Sequence, residues 1–486
     1  MNKRFFAIFL ALWMMALLAF PACNATGGGG DTATSGKTEE TADSGENTAT
    51  TEIPDNLPER DFEKYDFRIY IEDKEIAYKD LYVEEENGDI LNDIVYQRNK
   101  TVEERFNVSI MPVFYKEWGT PGEKAIKAGE DAFDIISSHG MISYQYAGKN
   151  LVSDWIANMP YTDLNAVWWN QDVVGENSYF GKIYAITGDI TYSMLGYTQS
   201  LYFNKRLFQD LNIEYPYNDV KNGTWTLDKF ISVSKNGVAD LNGDGKMTPG
   251  EDRYGFSILN QWGYPVSILY CGGDKIIKKD ENNLPVLSVY NERTKNIYDK
   301  FFDMLDSAAF VGAPEGNPDS LQIFQNGRSL FFDRGMNGAI MLRAMEDEIG
   351  IIPLPKYDAQ TPKYYSLVEA GARMITIPVT VTNHERTSII VEALAAEGYK
   401  KITPVFYEVV LKTKYARDEE SAEMLDYIKE GAVVDYGYLN DTLTGALGLL
   451  GTNLLAQTNR NFASLYEKHE GKALKAIEKL IEENTQ

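Results

Sequence analysis

Residues 240–251 read DLNGDGKMTPGE, with side-chain oxygens on Asp240, Asn242, Asp244, Thr248 and Glu251 at the first, third, fifth, ninth and twelfth positions and Gly245 at the sixth. A hard cation such as Ca2+ takes about six to eight oxygens at about 2.3–2.6 Å, and this spacing lets one turn supply them, with Lys246 offering its backbone carbonyl. One structural calcium is the cofactor expected. Residues 253–258 after the loop alternate as a strand, not an exiting helix, so a paired calcium sensor is not expected. His139, His384 and His469 lie far apart without zinc-ligand spacing, and each is expected to pack or face solvent. The chain has no GxSxG elbow, HExxH, GxxxxGK or dinucleotide fingerprint. No pair of carboxylates stands out for glycoside hydrolysis, so no enzyme is expected, with a secreted glycan-degrading enzyme kept as an alternative.

Cysteine chemistry is expected at the start of the chain. Lys3 and Arg4 precede an apolar run, 5–20, which ends in Pro21-Ala22 before Cys23. This pattern reads as an export signal over 1–22. A cysteine after a small residue at that point resembles a bacterial lipobox, which implies a diacylglyceryl group on the Cys23 thiol, although Phe20 and Pro21 depart from the usual pattern. Several acyl chains anchor a domain stably where one would not. Residues 24–58 contain no aromatic side chain and are dominated by Gly, Thr, Ser, Ala and Glu, a composition that cannot bury enough apolar surface to fold. About 35 such residues form a tether with a root-mean-square reach of about 30 Å. The expected location is therefore the cell surface or the extracytoplasmic face of the membrane, reached through lipid only.

The formal net charge of −25 makes nucleic acid an unexpected partner. With Cys23 lipidated, Cys271 is the one cysteine left, so no intramolecular disulfide is expected. The residues beyond 58 exceed what one hydrophobic core usually supports, so two lobes are expected.

The elements that would position a site follow from periodicity. Residues 67–71, FRIYI, alternate as a strand, 91–106 carry apolar residues at helical spacing, and 106–113 form a second strand. A short helix over 122–129 and a buried strand over 133–138 follow, broken at His139-Gly140, which predicts a mostly parallel α/β sheet. In such sheets ligands sit beyond the carboxyl ends of strands, here the loop 138–144. Further helices are predicted at 227–235, 294–306, 388–398, 419–430 and 472–483, and strands at 254–258, 329–332, 349–353 and 373–377. Thr226 is a predicted helix cap with Trp225 packing beside it.

The segments YQRNKTVEERFNV (96–108), FDII (133–136), YAITGD (184–189), LYFNKRLFQDLNI (201–213), GTWTLDKF (223–230), FQNGRSLFF (324–332), IGIIPLPKYD (349–358) and EALAAEGYK (392–400) resemble, in this order, the extracellular solute-binding proteins of family 1. These are the sugar-binding lipoproteins of ABC importers. The resemblance implies a periplasmic-binding-protein-like fold of two discontinuous α/β lobes joined by crossing hinge strands. It places the crossings near 189–198, 368–373 and 435. One lobe then takes 59–190 plus 373–432, and the other takes 191–372 plus 433–486. The implied function is capture of a solute, an oligosaccharide, by a monomer that delivers it to permease subunits.

Aromatic faces cover the C–H face of a sugar while polar neighbours take its hydroxyls. Trp169 and Trp262 lead the candidates, with Tyr192, Tyr197 and Tyr264 as further aromatics and His139 and Asp189 as polar contacts. A peptide-binding protein of the same fold is the alternative. It would need an acid for a free amine or a base for a carboxylate, and Asp189, Glu369 and Arg373 near the hinges supply them.

Overall fold

Phe67, Ile69 and Ile71 alternate along the first strand and are fully buried, because successive strand residues face opposite sides of a sheet. The computed structural model describes residues 53–259, 263–313, 319–415 and 418–485. The signal segment 1–22, Cys23 and the tether as far as residue 52 lie outside the described residues. From Asp55 onward the chain already belongs to the folded unit, with Asp55 paired to Arg105. No helix among the described residues is long and apolar enough to cross a membrane.

The strands in chain order are β1 (Tyr65–Glu72), β2 (Val108–Tyr115), β3 (Ile135–His139), β4 (Gln199–Asn204), β5 (Tyr254–Leu259), β6 (Ile277–Lys279), β7 (Pro285–Leu287), β8 (Phe310–Ala313), β9 (Ser329–Gly335), β10 (Ile349–Ile352), β11 (Ser366–Leu367), β12 (Arg373–Thr376) and β13 (Ala432–Val433). One sheet has the order β12-β3-β1-β2 and a second the order β10-β4-β9-β5-β8. Each sheet is mixed. β1 runs parallel to β2 and β3, and β5 parallel to β8 and β9, whereas β12, β4 and β10 each join antiparallel. The predicted parallel core is therefore present, with antiparallel strands added at the edge of the first sheet and in the outer half of the second.

Helix Ile90–Phe106 starts on Asp89, whose carboxylate accepts from the Leu91 and Asn92 amides, and stops at Asn107 in the left-handed region. Its Val102 and Phe106 meet Phe67 and Ile69 of the first sheet and Ile389, Ile390, Ala393 and Leu394 of helix His384–Glu397 in one apolar core. Thr226 caps helix Leu227–Asn236 by accepting from the Lys229 amide, and Trp225 is fully buried with its indole N–H on the Pro353 carbonyl, as expected.

Two expectations about breaks are corrected. His139-Gly140 does not open a loop, because helix Gly140–Gly148 begins at once. Gly398 does not end a helix. The chain continues through wider turns, Gly398–Ile402 and Val405–Tyr415. A Cβ at Gly398 would sit 1.9 Å from the Asp189 carbonyl oxygen, so this glycine serves a close approach of backbones. The segment 405–430, expected with the first lobe, packs on the second sheet: Phe406, Leu411, Leu425 and Ile428 share a core with Tyr202, Phe332, Ile349 and Ile351.

Candidate functional site

The two sheets present strand ends to one cavity of about 460 Å3. From the first sheet come Glu72 at the end of β1, His139 at the end of β3 and Arg373 at the start of antiparallel β12, which pairs in register with His139. From the second come Gln199 at the start of β4 and, across the ladder from it, Asp333, Arg334 and Gly335 at the end of β9. This agrees with the rule that open α/β sheets bind ligands beyond their strand ends.

Between the sheets three segments run side by side. Thr198 bridges Val368 antiparallel, and β11 pairs parallel with β13. The Glu369 amide donates to the Tyr197 carbonyl at 3.0 Å, which turns both side chains toward the cavity they line. A Cβ at Gly371 would lie 2.3 Å from Tyr197 Cε1 and 2.6 Å from Glu369 Oε2, so only glycine fits here.

The polar groups of the cavity are partly satisfied. Glu72 accepts from Lys74 at 2.5 Å and from Arg373 Nη2 at 3.1 Å. Burial alone would raise its carboxyl, but the two cations hold it below the usual range. Glu369 accepts from the Gly371 amide at 2.9 Å and the Tyr438 hydroxyl at 3.3 Å, and burial pushes its carboxyl up. Burial, reinforced by the Arg373 charge, brings His139 down to about 3, so its imidazole is neutral at physiological pH. His139 Nδ1, Gln199 Oε1 and Arg373 Nε and Nη1 are buried without a hydrogen-bond partner. Such groups are costly unless a solute or water pairs them. Over His139 stands Trp118, ring centroids 5.0 Å apart and edge-on, with 67% of its surface exposed.

Four of the candidate residues, His139, Tyr197, Glu369 and Arg373, line this cavity. Four others do not. Trp169 is buried, donates its indole N–H to Glu392 at 2.9 Å and packs on Trp155, so its ring belongs to the core. Tyr264 is fully buried against Phe230, Phe256 and Phe301. Tyr192 stacks on Phe406 at 4.6 Å. Asp189 accepts from the Thr403 hydroxyl, is pushed up to about 6 by burial, and lines a second cavity of about 330 Å3 with Trp168, Tyr399 and Lys429. Trp262 lies outside the described residues.

Sequence reasoning missed Glu72, Lys74, Trp118, Gln199, Asp333, Arg334 and Asn337. A signal existed for Trp118, a lone tryptophan in the polar, glycine-bounded stretch KEWGTPG after an apolar strand. Glu72, Asp333 and Arg334 stand where apolar strands give way to charge.

In the 240–251 loop, Asp240 accepts from the Gly243 and Gly245 amides at 2.7 and 2.8 Å, and Asn242 and Asp244 accept from the amides two residues on. Gly245 has φ 80°, the left-handed turn its position requires. Asn242 Nδ2 donates to Glu251 Oε2 at 3.2 Å, which makes the third and twelfth positions neighbours. Among the described residues no three His, Cys, Asp or Glu side chains converge as metal ligands.

No protein-family model and no curated protein matches this chain. Solved structures do. The GacH receptor of Streptomyces glaucescens, solved unliganded and with acarbose, aligns at TM-score 0.53 and 14% identity over 86% of this chain and 98% of its own. An ABC substrate-binding protein of Listeria monocytogenes, in complex with cycloalternan, aligns at TM-score 0.53 and 13% identity over 86% and 98%. UgpB of Mycobacterium tuberculosis, in complex with glycerophosphocholine, aligns at TM-score 0.55 and 11% identity over 80% and 96%. The fold is that of two-lobed α/β solute-binding proteins.

Proposed function

We propose that this chain is an extracytoplasmic solute-binding lipoprotein of the family 1 type, which captures an oligosaccharide between its two sheets and delivers it to the permease subunits of an ABC importer. One observation carries the reading: a cavity at the strand ends of both sheets combines an exposed indole with buried polar atoms that have no protein partner. An indole covers a sugar face and the polar atoms take hydroxyls. Structures of the same fold were solved with acarbose and cycloalternan. A solute touching both sheets favours a closed arrangement over an open one, with 187–199 and 366–373 as the hinge segments. The segment 405–430 packs on the second sheet and is assigned to the body that carries it. Binding without turnover fits the carboxylates: Glu72 and Glu369 are already engaged, and Asp333 accepts from the Tyr264 amide at 2.7 Å. Calorimetry on the full chain against oligosaccharides and peptides tests the reading. Saturable binding of an oligosaccharide recovered intact is expected, whereas peptide-only binding or glycan hydrolysis contradicts it.

The lipobox-like placement of Cys23 supports the same location, with its thiol as the proposed site of the lipid. Metabolic labelling with a fatty acid should mark the wild type and not Cys23→Ala, and equal labelling of both would remove the anchor from the account.

The 240–251 loop is proposed to hold one structural Ca2+ on Asp240, Asn242, Asp244, Thr248, Glu251 and the Lys246 carbonyl, a role supported by the turn at Gly245 and the approach of Asn242 to Glu251. The ion would tie the loop's oxygens together and take no part in solute chemistry. Free calcium at about 100 times its Kd should add about 2.7 kcal/mol of stability relative to chelator. An unchanged thermal midpoint, with no metal by elemental analysis, contradicts the site.

A further inference from the structure

The charges of the cavity are unequally matched. Its anions are provided for: Glu72 by Lys74 and Arg373, Glu369 by the Gly371 amide and the Tyr438 hydroxyl, and Asp333 by the Tyr264 amide. Its guanidiniums are less evenly provided for, Arg373 having Glu72 as its counter-charge and Arg334 none within ion-pair distance among the described residues. Arg373, 4% exposed, uses Nη2 on Glu72 and leaves Nε and Nη1 buried without an acceptor. Arg334 lines the cavity from the opposite sheet, and among the described residues no carboxylate lies within ion-pair distance of it, in a chain with 72 acidic against 47 basic residues. Both guanidiniums line the same cavity as Glu369.

We infer that the saccharide this cavity selects carries a carboxylate, a uronate unit seated between Arg373 and Arg334. The inference rests on the saccharide reading above and narrows its substrate class. A guanidinium fork matches a planar carboxylate with two parallel N–H···O bonds, and such charge-assisted bonds are stronger than those to a hydroxyl. A neutral sugar would leave the Arg334 charge uncompensated. A phosphate ester suits the site less well, because only Arg334 lacks a counter-charge and a near-dianion would overfill it; a sulfate ester is a monoanion like the carboxylate, and the test below tells the two apart. The neutral His139 and the Trp118 face complete the seat for the ring. Glu369 is the group an incoming carboxylate would oppose, and like charges at close range exclude one another.

The test is calorimetry on the full chain with matched pairs of equal linkage and length: oligogalacturonate against oligogalactose, oligomannuronate against oligomannose, and oligoglucuronate against oligoglucose, with a sulfated oligosaccharide as a further arm. At least a tenfold preference for the acidic member of one pair is expected in the wild type. It should fall below about threefold in Arg334→Met, return in part in Arg334→Lys, and grow in Glu369→Gln. Thermal midpoints of the three variants establish that each is folded. Neutral members binding as well as or better than their acidic partners overturn this inference and leave the saccharide reading intact, as does a preference unmoved by Arg334→Met or a tighter sulfated ligand. Peptide binding with no saccharide bound in any arm overturns both.

Discussion

Trp118→Ala is expected to weaken saccharide binding by about 1–3 kcal/mol while changing stability by no more than about 0.5 kcal/mol. Trp169→Ala is expected to do the reverse. Trp118 is exposed at the cavity rim above His139, so its removal takes away ligand contact and little protein packing. Trp169 is buried among Trp155, Ile186 and the helix carrying Glu392, so its truncation opens a large cavity and costs about 3–5 kcal/mol. It also removes one of two indole donors to a buried carboxylate. Chemical denaturation and calorimetry on the same two variants measure both effects. An unstable Trp118→Ala, or a stable Trp169→Ala that no longer binds, would reverse the assignment.

Stability should also fall as pH rises from about 4.5 to 7, through Glu392. Its carboxyl is fully buried, and burial pushes it up to about 7 even though the Trp168 and Trp169 indoles each donate to it at 2.9 Å. The folded chain then holds a proton that the unfolded chain has already lost. The contribution is complete below the unfolded value of 4.5 and disappears as pH passes the folded value. A shift of this size corresponds to about 3 kcal/mol. His139 acts in the opposite sense: held near 3 when folded, it costs stability as pH falls below its unfolded value of 6.5. The comparison is therefore between wild type and Glu392→Gln, which keeps one acceptor for the indoles and cannot titrate. Urea midpoints across pH 4–8 should fall more steeply with rising pH in the wild type than in the variant, the difference being the Glu392 contribution. Parallel profiles would mean that Glu392 stays ionised in its pocket.

These two predictions mark the limit of what the sequence discloses. Local chemistry was legible: the Thr226 cap, the alternating apolar residues of β1 and the burial of Trp225 depend on neighbours within a few positions. The resemblance also leads to the crossing region, where Tyr197, Glu369 and Arg373 line the cavity. Trp169 was misread because its partner, Glu392, is 223 residues away, and nothing beside an indole in sequence says whether its N–H will meet a ligand or a buried carboxylate. Tyr264 has the same difficulty, since a core phenol and a cleft phenol share one local pattern. Arg334 and Glu72 went unnoticed because charge after a strand is the ordinary signature of a turn. Their meaning depends on the opposite sheet. Gly140 reads as a breaker by type, yet it opens a helix directly after β3, and Gly398 permits a close approach of backbones where the helical path continues.

The central claim is that one solute is held by both sheets at once. Hydrogen exchange of the full chain, with and without the tightest oligosaccharide found by calorimetry, locates the ligand directly. Slower exchange is predicted in peptides covering 72–76, 116–119 and 139–141 from the first sheet, 333–337 from the second and 369–373 between them. Protection confined to one sheet, or centred on the second cavity around 167–172 and 399–403, would contradict the account.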